Sequence, residues 1–346
     1  MVKAIQIGLG HWGFSWSKDV IPNVPTVEMV GYVDTNPEAT RRVQAELGID
    51  PALCFASLED AAHHTDATLA LCTLRTEAHY PVVKRCLELG YNVLVEKPFA
   101  TTIAQAKELV ALAKAQGKVL MVSQNYRHQP APIAAADLIA AGKFGALNMV
   151  SIDFRRHGPS QGYRYWDMPD PLLADMSIHH FDLMRFVLGD EPVRLSCRTW
   201  NPPGSPFHFD PSGVATIEFS KGTVVSYRAS WMNSGPVTPW AGEWVMDGAE
   251  GQIAWSSRDH FRDKAGPDVL TLRPLDGSLE KVKLSPVKFA DRQGTLNAIA
   301  NLLETGVVPR GFSSGADNLG SLALVQATIL SASRSGDWVD MAEVMG

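Results

Sequence analysis

Three glycines near the start of the chain, Gly8, Gly10 and Gly13 in "IQIGLGHWGFSWS", fall at the spacing G-x-G-x-x-G. On its own that spacing suits either a tight corner between a strand and a helix or a cradle for a pyrophosphate. An acid, Asp34, ends the next apolar run about twenty residues beyond Gly13, where a carboxylate can meet the ribose of a bound dinucleotide. Further along, "VLVEKPFA" sets Glu96, Lys97 and Pro98 at the end of another apolar run, and a lysine there could exchange a proton with a substrate. Asp175 and His179 stand at i and i+4 in "PLLADMSIHHFDLMRFVLG", so a helix gives them one face, with Asp182 a turn further on. Lysine, imidazole and carboxylate are the groups that alcohol oxidation uses: hydride leaves the carbinol carbon while a base takes the hydroxyl proton. Taken singly, each feature also has a bland explanation. Lys97 suits a solvated side chain, and Asp175 with His179 suits a surface ion pair or a histidine held in a core.

The elements that carry these residues decide between the two. "KAIQIGL", "TVEMVGYVD", "ATLALCTL", "YNVLVEKP" and "KVLMVS" are short, rich in β-branched residues and bounded by turn formers, and so read as buried strands. Between them "NPEATRRVQAELG", "SLEDAAHH", "TEAHYPVVKRCLELG" and "TTIAQAKELVALAKAQG" carry helical caps and stops, with Pro81 expected in a first turn. Such alternation over about 120 residues predicts a parallel sheet with helices on both faces. The glycines then follow a strand and open a helix. Gly8 allows the turn, Gly10 lets the backbone approach a pyrophosphate, and Gly13 lets helix pack on strand, with His11 and Trp12 inside the same cradle. Asp34 can accept both adenosine ribose hydroxyls and would repel a 2′-phosphate, which favours NAD over NADP. Arg41 and Arg42, which could otherwise reach such a phosphate, read as surface residues of a helix.

After Ser123 the rhythm changes. "QPAPIAAADLIAAGKFG" reads as a helix, and then "LNMVSIDFR", "VRLSCRTW", "GVATIEFS", "TVVSYRASW", "GQIAWS" and "DVLTLRP" read as strands, with a last helix in "NLGSLALVQATILSASRSG". The expected architecture is an α/β Rossmann domain over residues 1–123. An α+β domain with an open, largely antiparallel sheet, serving substrate binding and oligomerisation, is expected over 124–346. The 346 residues fit two domains, and a net charge of -6 offers no field for holding nucleic acid. Cys54, Cys72, Cys86 and Cys197 form no C-x-x-C, which points to free thiols in a reducing cytoplasm. No apolar run reaches bilayer length, so neither a membrane nor a secretory route is expected. His63, His64 and Asp66 adjoin, but a helix sends neighbours to different faces, so no metal site is expected.

The joint pattern resembles the Gfo/Idh/MocA family of oxidoreductases, which includes glucose-fructose oxidoreductase and inositol dehydrogenase. It is carried by the glycines, Asp34, Glu96-Lys97-Pro98, "NYRHQPAPIAAADLIAAGKFGAL" and the D-x-x-x-H-x-x-D run from Asp175 to Asp182, and spans essentially the whole chain. The resemblance implies that Lys97 and His179 border the reacting hydroxyl and that Asp175 positions them. It implies further cofactor contacts from Thr73, His79, Glu96, Lys97 and Asn125, and substrate contacts from Arg127 and His157. Tyr163, Tyr165, Trp166 and Trp231 are the aromatic candidates for stacking on a sugar ring. Two departures stand out. "LCTLRTEAH" lacks the family's threonine-proline and is one residue longer before His79, so Leu74 and Arg75 should reshape that loop. "PDPLLADM" replaces a glycine pair upstream of Asp175. The expected function is NAD-dependent oxidation of a secondary hydroxyl of a sugar, cyclitol or sugar acid, or the reverse, by a homodimer or homotetramer. Two rivals are a redox-neutral isomerisation, epimerisation or glycoside cleavage on tightly held NAD, and a non-catalytic dinucleotide-binding regulator.

Overall fold

The five apolar runs of the first part become parallel strands, joined by a short one at the sheet's edge, Cys54–Phe55, that the sequence reading lacks: β1 (Val2–Ile7), β2 (Val27–Val33), β3 (Cys54–Phe55), β4 (Leu69–Cys72), β5 (Asn92–Val95) and β6 (Leu120–Val122). Their spatial order is β3-β2-β1-β4-β5-β6. All four residues of β4 are buried, as in a parallel sheet covered on both faces. The structure is a computed structural model that describes residues 1–157, 164–258, 260–261, 264–265 and 267–346. Between the strands run α1 (His11–Ser15), continued by a π-helix (Trp16–Val20) and a 3-10 turn (Ile21–Asn23), then α2 (Pro37–Leu47), α3 (Leu58–His64), α4 (Thr76–Glu88) and α5 (Ile103–Ala115). Asn36, Ser57 and Thr102 cap α2, α3 and α5 by accepting from Glu38, Asp60 and Gln105 N–H groups, as their residue types anticipate. Pro81 departs from expectation. It lies in the second turn of α4, because that helix already begins at Thr76.

The second part holds α6 (Pro130–Ala140), β7 (Leu147–Arg155), α7 (Ser177–Leu188), β8 (Pro192–Trp200), β9 (Ser212–Phe219), β10 (Val224–Ser230), β11 (Glu243–Gly248) and β12 (Gly251–Ser256). A two-residue ribbon, β13 (His260–Phe261) with β14 (Lys264–Ala265), precedes β15 (Val269–Pro274) and β16 (Glu280–Lys281). With β17 (Val339–Asp340), a nine-stranded sheet forms in the order β16-β15-β12-β11-β7-β10-β9-β8-β17. Only the β7–β10 pair within it is parallel. Strand β11, absent from the sequence reading, alternates as a half-buried strand should, with Trp244 and Met246 inward. One face is core, where Ile152, Phe154, Ile217 and Tyr227 are buried, while Met149, Trp200 and Val214 of the other face are exposed. Helix α9 (Gly315–Ser333) and the short α10 (Met341–Met345) complete the elements together with α8 (Asp291–Thr305). Among the described residues no helix is long and apolar enough to cross a membrane.

The division of the chain differs from a single boundary at residue 123. One unit is Met1–His128 with Lys288–Leu319, and the other is Gln129–Val287 with Gly320–Gly346. The cause is α8, whose Leu296, Ile299 and Ala300 enter the core formed by Trp16, Val20, Leu69, Leu71 and Leu94. The same returning segment meets β6, where the Val122 N–H donates to the Ser313 carbonyl at 2.9 Å and covers an otherwise open sheet edge.

Candidate cofactor and active site

Because β1, β2, β4 and β5 are parallel, all end at one edge of the first unit's sheet. The glycine loop leaves β1 at this edge, Asp34 follows β2, Thr73 follows β4, and Glu96 and Lys97 follow β5. Gly8 has φ +91°, which only glycine adopts without strain. A Cβ there would also lie 2.8 Å from Leu74 Cδ2, so Leu74 does pack against the loop. A Cβ on Gly13 would lie 1.9 Å from the Gly8 carbonyl oxygen, which leaves no room for any side chain where helix meets strand. Around Gly10, by contrast, a Cβ would meet nothing within 4 Å. The space beside Gly10 at the start of α1 is therefore open, and Gly10 itself is exposed.

A buried polar network holds this loop. Gln6, fully buried in β1, donates through Nε2 to the Gly13 carbonyl (2.8 Å) and to Thr73 Oγ1 (3.1 Å), and its Oε1 accepts from Ser17 Oγ (2.6 Å). Thr73 in turn donates to the Gly8 carbonyl at 2.7 Å. Both amide hydrogens and the amide oxygen are thus used, and two carbonyls of the loop are fixed. Thr73 was expected to contact a cofactor. Instead it is buried and positions Gly8.

Asp34 accepts the Leu9 N–H at 2.7 Å and the Asn36 N–H at 2.8 Å, one on each carboxylate oxygen. Each oxygen keeps a lone pair for a ribose hydroxyl. Arg41 pairs with Glu38, and Arg42 pairs with Glu46 at 3.0 Å while stacking over Phe14. Both arginines lie on the surface of α2, as the sequence reading has them. His11 and Trp12 are exposed at the start of α1.

Glu96 is buried and accepts the Trp16 indole N–H at 2.9 Å and the Lys97 N–H at 3.2 Å, so it orients its neighbours. Lys97 is partly exposed, and its peptide bond to Pro98 is cis. His79 corrects the expectation of a cofactor contact. Its ring nitrogens lie 2.7 Å from the Pro98 carbonyl and 3.1 Å from the Leu74 carbonyl, tying two loops together behind the edge. Burial lowers its pKa although both carbonyls pull the other way, and a neutral ring donates to one of them at a time. Asn125 donates to Asp291. Arg127 is 4% exposed, and its guanidinium pairs with Asp317 at 2.7 Å, an internal ion pair in place of the expected substrate contact.

In the second unit, "PDPLLADM" folds as a π-helix (Pro171–Met176) that runs into α7. Asp175 therefore lies on the π-turn and His179 on the α-helix proper, both buried. Asp182 accepts from Ser321 Oγ at 2.8 Å, a bond between α7 and α9. His180 is structural: Tyr227 OH lies 2.8 Å from Nδ1, the Trp240 carbonyl lies 3.0 Å from Nε2, and burial lowers its pKa to about 4. His157 is exposed just beyond β7. Trp231 is buried against Phe154 (5.3 Å between ring centroids), Tyr165 (5.9 Å) and Trp240 (6.1 Å). Trp166 follows in a short 3-10 turn, and the indole N–H groups of both tryptophans are buried with no hydrogen-bond partner. Tyr163 lies outside the described residues.

Comparison with known proteins fits this geometry. Residues 3–124 match the model of an oxidoreductase family with an NAD-binding Rossmann fold, and residues 133–254 match the Gfo/Idh/MocA C-terminal domain. The chain belongs to the Gfo/Idh/MocA family. It is an oxidoreductase, and NAD is its cofactor. An uncharacterized protein of Sinorhizobium fredii is 26% identical over 99% of this chain and 96% of its own length. The D-apiose dehydrogenase of Paraburkholderia graminis is 28% identical over 92% of this chain and 84% of its own. An Agrobacterium radiobacter oxidoreductase solved with NAD+, L-tartaric acid and magnesium shares the fold, with a TM-score of 0.84 at 20% identity over 99% of both chains.

Within this Gfo/Idh/MocA chain, the residues that sequence reasoning missed are those acting through others. Gln6 interrupts an apolar strand at a buried position, which is a readable signal. Asp291 and Asp317 carry none, because their partners Asn125 and Arg127 are remote in the chain.

Proposed function

We propose that the protein oxidises a secondary hydroxyl of a sugar, cyclitol or sugar acid, or reduces the corresponding ketone, with Lys97 and His179 as acid–base groups and Asp175 orienting them. The observation that carries this reading is the position of Lys97. It follows β5, at the sheet edge that bears the glycine loop, with β1 and β4 separating it from Asp34 on β2. In doubly wound sheets that edge binds the dinucleotide, and a lysine opposite the adenosine side stands where the nicotinamide end would lie. Bound NAD supplies the hydride acceptor. The chain must supply a group that removes the hydroxyl proton as the hydride leaves, and Lys97 and His179 are of the types that do so. The imidazole of His179, with Asp175 one turn before it, is of the type that carries a proton near neutral pH. The D-apiose dehydrogenase relative supports a sugar-like substrate.

A panel of sugars, cyclitols and sugar acids, assayed with NAD at the NADH absorbance band, tests the reading. Turnover of at least one secondary alcohol is expected, and Lys97→Ala should lower kcat by roughly 10²- to 10⁴-fold, with NAD affinity changed by about threefold or less. A Lys97→Ala variant with unchanged kcat overturns the assignment.

A further inference from the structure

Arg292 lies in the first turn of α8, on the segment that returns to the first unit. Its guanidinium carbon sits 4.4 Å from the ring centroid of Trp12 and 5.5 Å from that of Trp16, and Nη2 donates to Ser15 Oγ at 3.1 Å. Nη1 is buried and meets no hydrogen-bond acceptor. A buried donor on a permanent cation is costly to leave unmatched, so its acceptor comes from outside the chain, as a solvent molecule or a ligand atom. Trp12, 46% exposed, stands between Gly10 and Gly13 in the chain, so its stack sets the guanidinium beside the glycine loop.

The two sides of α1 and its continuation show which end of a dinucleotide this cation faces. Phe14 packs with Leu9, Tyr32 and Val43, toward β2 and Asp34. Trp16 packs with Leu69, Leu71 and Leu94, toward β4 and β5, and donates to Glu96 beside Lys97. Arg292 stacks over Trp12 and Trp16, not over Phe14, where Arg42 already lies. We propose that Arg292 is a cofactor-binding residue that pairs with the NAD diphosphate at the phosphate nearer the nicotinamide, oriented by Trp12. The proposal rests on reading Gly8–Gly13 as the NAD cradle. Within it, a residue about 280 positions downstream completes a site otherwise built from the first 130 or so residues.

The test is calorimetric titration of wild type, Arg292→Met, Arg292→Lys and Trp12→Ala with NAD, ADP-ribose and ADP, and competition of AMP against NAD. AMP carries only the adenosine-side phosphate, whereas the other three carry both. Arg292→Met should weaken NAD, ADP-ribose and ADP by similar factors of roughly 10- to 100-fold, the worth of a charge-assisted hydrogen bond, with AMP changed less than about twofold. Arg292→Lys should recover part of the loss, and Trp12→Ala should show the same selectivity for ligands bearing both phosphates. Equal weakening of AMP and NAD, or no weakening of any ligand, overturns the assignment of Arg292. Failure of the wild-type protein to bind either NAD or ADP-ribose would overturn the cradle reading instead.

Discussion

Gly10 and Gly13 are separated by two residues, yet substituting each with alanine should produce opposite signatures. At Gly13 the new Cβ would lie 1.9 Å from the Gly8 carbonyl oxygen, 2.8 Å from the Gly8 carbonyl carbon and 2.9 Å from Thr73 Oγ1. Even a tight carbon–oxygen contact needs about 3 Å, so the loop and helix must separate by about 1 Å. That displacement pulls Gly8 from Thr73 and Gly13 from Gln6, bonds of 2.7 and 2.8 Å. Overpacking costs about 1–3 kcal/mol, and a buried polar group left unmatched adds a similar amount, so a loss of about 2–6 kcal/mol is expected. At about 2–4 °C per kcal/mol for a unit of this size, Tm should fall by roughly 4–24 °C, with or without NAD. At Gly10 nothing lies within 4 Å of the added methyl group, so the Tm of the free protein should stay within about 2 °C of wild type. The methyl group would occupy the space a phosphate needs, and losing even one N–H bond to that anion weakens NAD about 10- to 100-fold. Differential scanning fluorimetry of the free proteins and calorimetric titration with NAD separate the two cases. A Gly10→Ala variant that binds NAD like wild type, or that loses as much Tm as Gly13→Ala, would refute the assignment of roles.

Three further outcomes follow from the same geometry. Wild type should bind NAD at least tenfold more tightly than NADP, and Asp34→Asn should narrow that gap by removing the carboxylate's repulsion of a 2′-phosphate; equal affinities in wild type would show that Arg41 or Arg42 has left its surface partner. Arg127→Met should lower Tm by an amount matching about 1–2 kcal/mol, less than a fully buried pair costs because Asp317 is 36% exposed and regains water. Its KM for substrate should be unchanged, and a raised KM with unchanged Tm would return Arg127 to the substrate site. For His180, the folded pKa of about 4 lies below the ordinary 6.5, so between these values the unfolded chain binds more protons. Its contribution is then complete above about pH 6.5 and is lost as pH falls toward 4, with a slope of at most about 1.4 kcal/mol per pH unit. His180→Gln should flatten the acid limb of urea-denaturation stability by about one proton, and an unchanged slope would place the titration elsewhere.

What the sequence reveals and what it hides divide along one physical line. Periodicity, caps and glycine spacing are local, so the parallel sheet, the largely antiparallel sheet and the glycine loop beside Asp34 can all be read directly from the chain. Asp34 is legible because its two partners, the Leu9 and Asn36 N–H groups, belong to the loop and turn that the motif itself specifies. Thr73, His79 and Arg127 are polar residues at the right edge, and residue type cannot tell a side chain offered to a ligand from one spent on the protein's own backbone or charges. Their partners, the carbonyls of Gly8 and Pro98 and the carboxylate of Asp317, are fixed only once the sheet and the returning segment are in place. The same holds for the division into units. Leu296, Ile299, Ala300 and Leu303 carry helical spacing that could have been read in advance. Burial of apolar area has no direction, however, so that stripe alone cannot say which core α8 will join. Gln6 is the informative exception. A buried amide inside an apolar strand must find partners for two donors and an acceptor, and Gln6 finds them in the Gly13 carbonyl, Ser17 and Thr73 around the glycine loop. An unexplained polar residue in the strand leading into a glycine loop is therefore itself a local signal that the loop is being held in place.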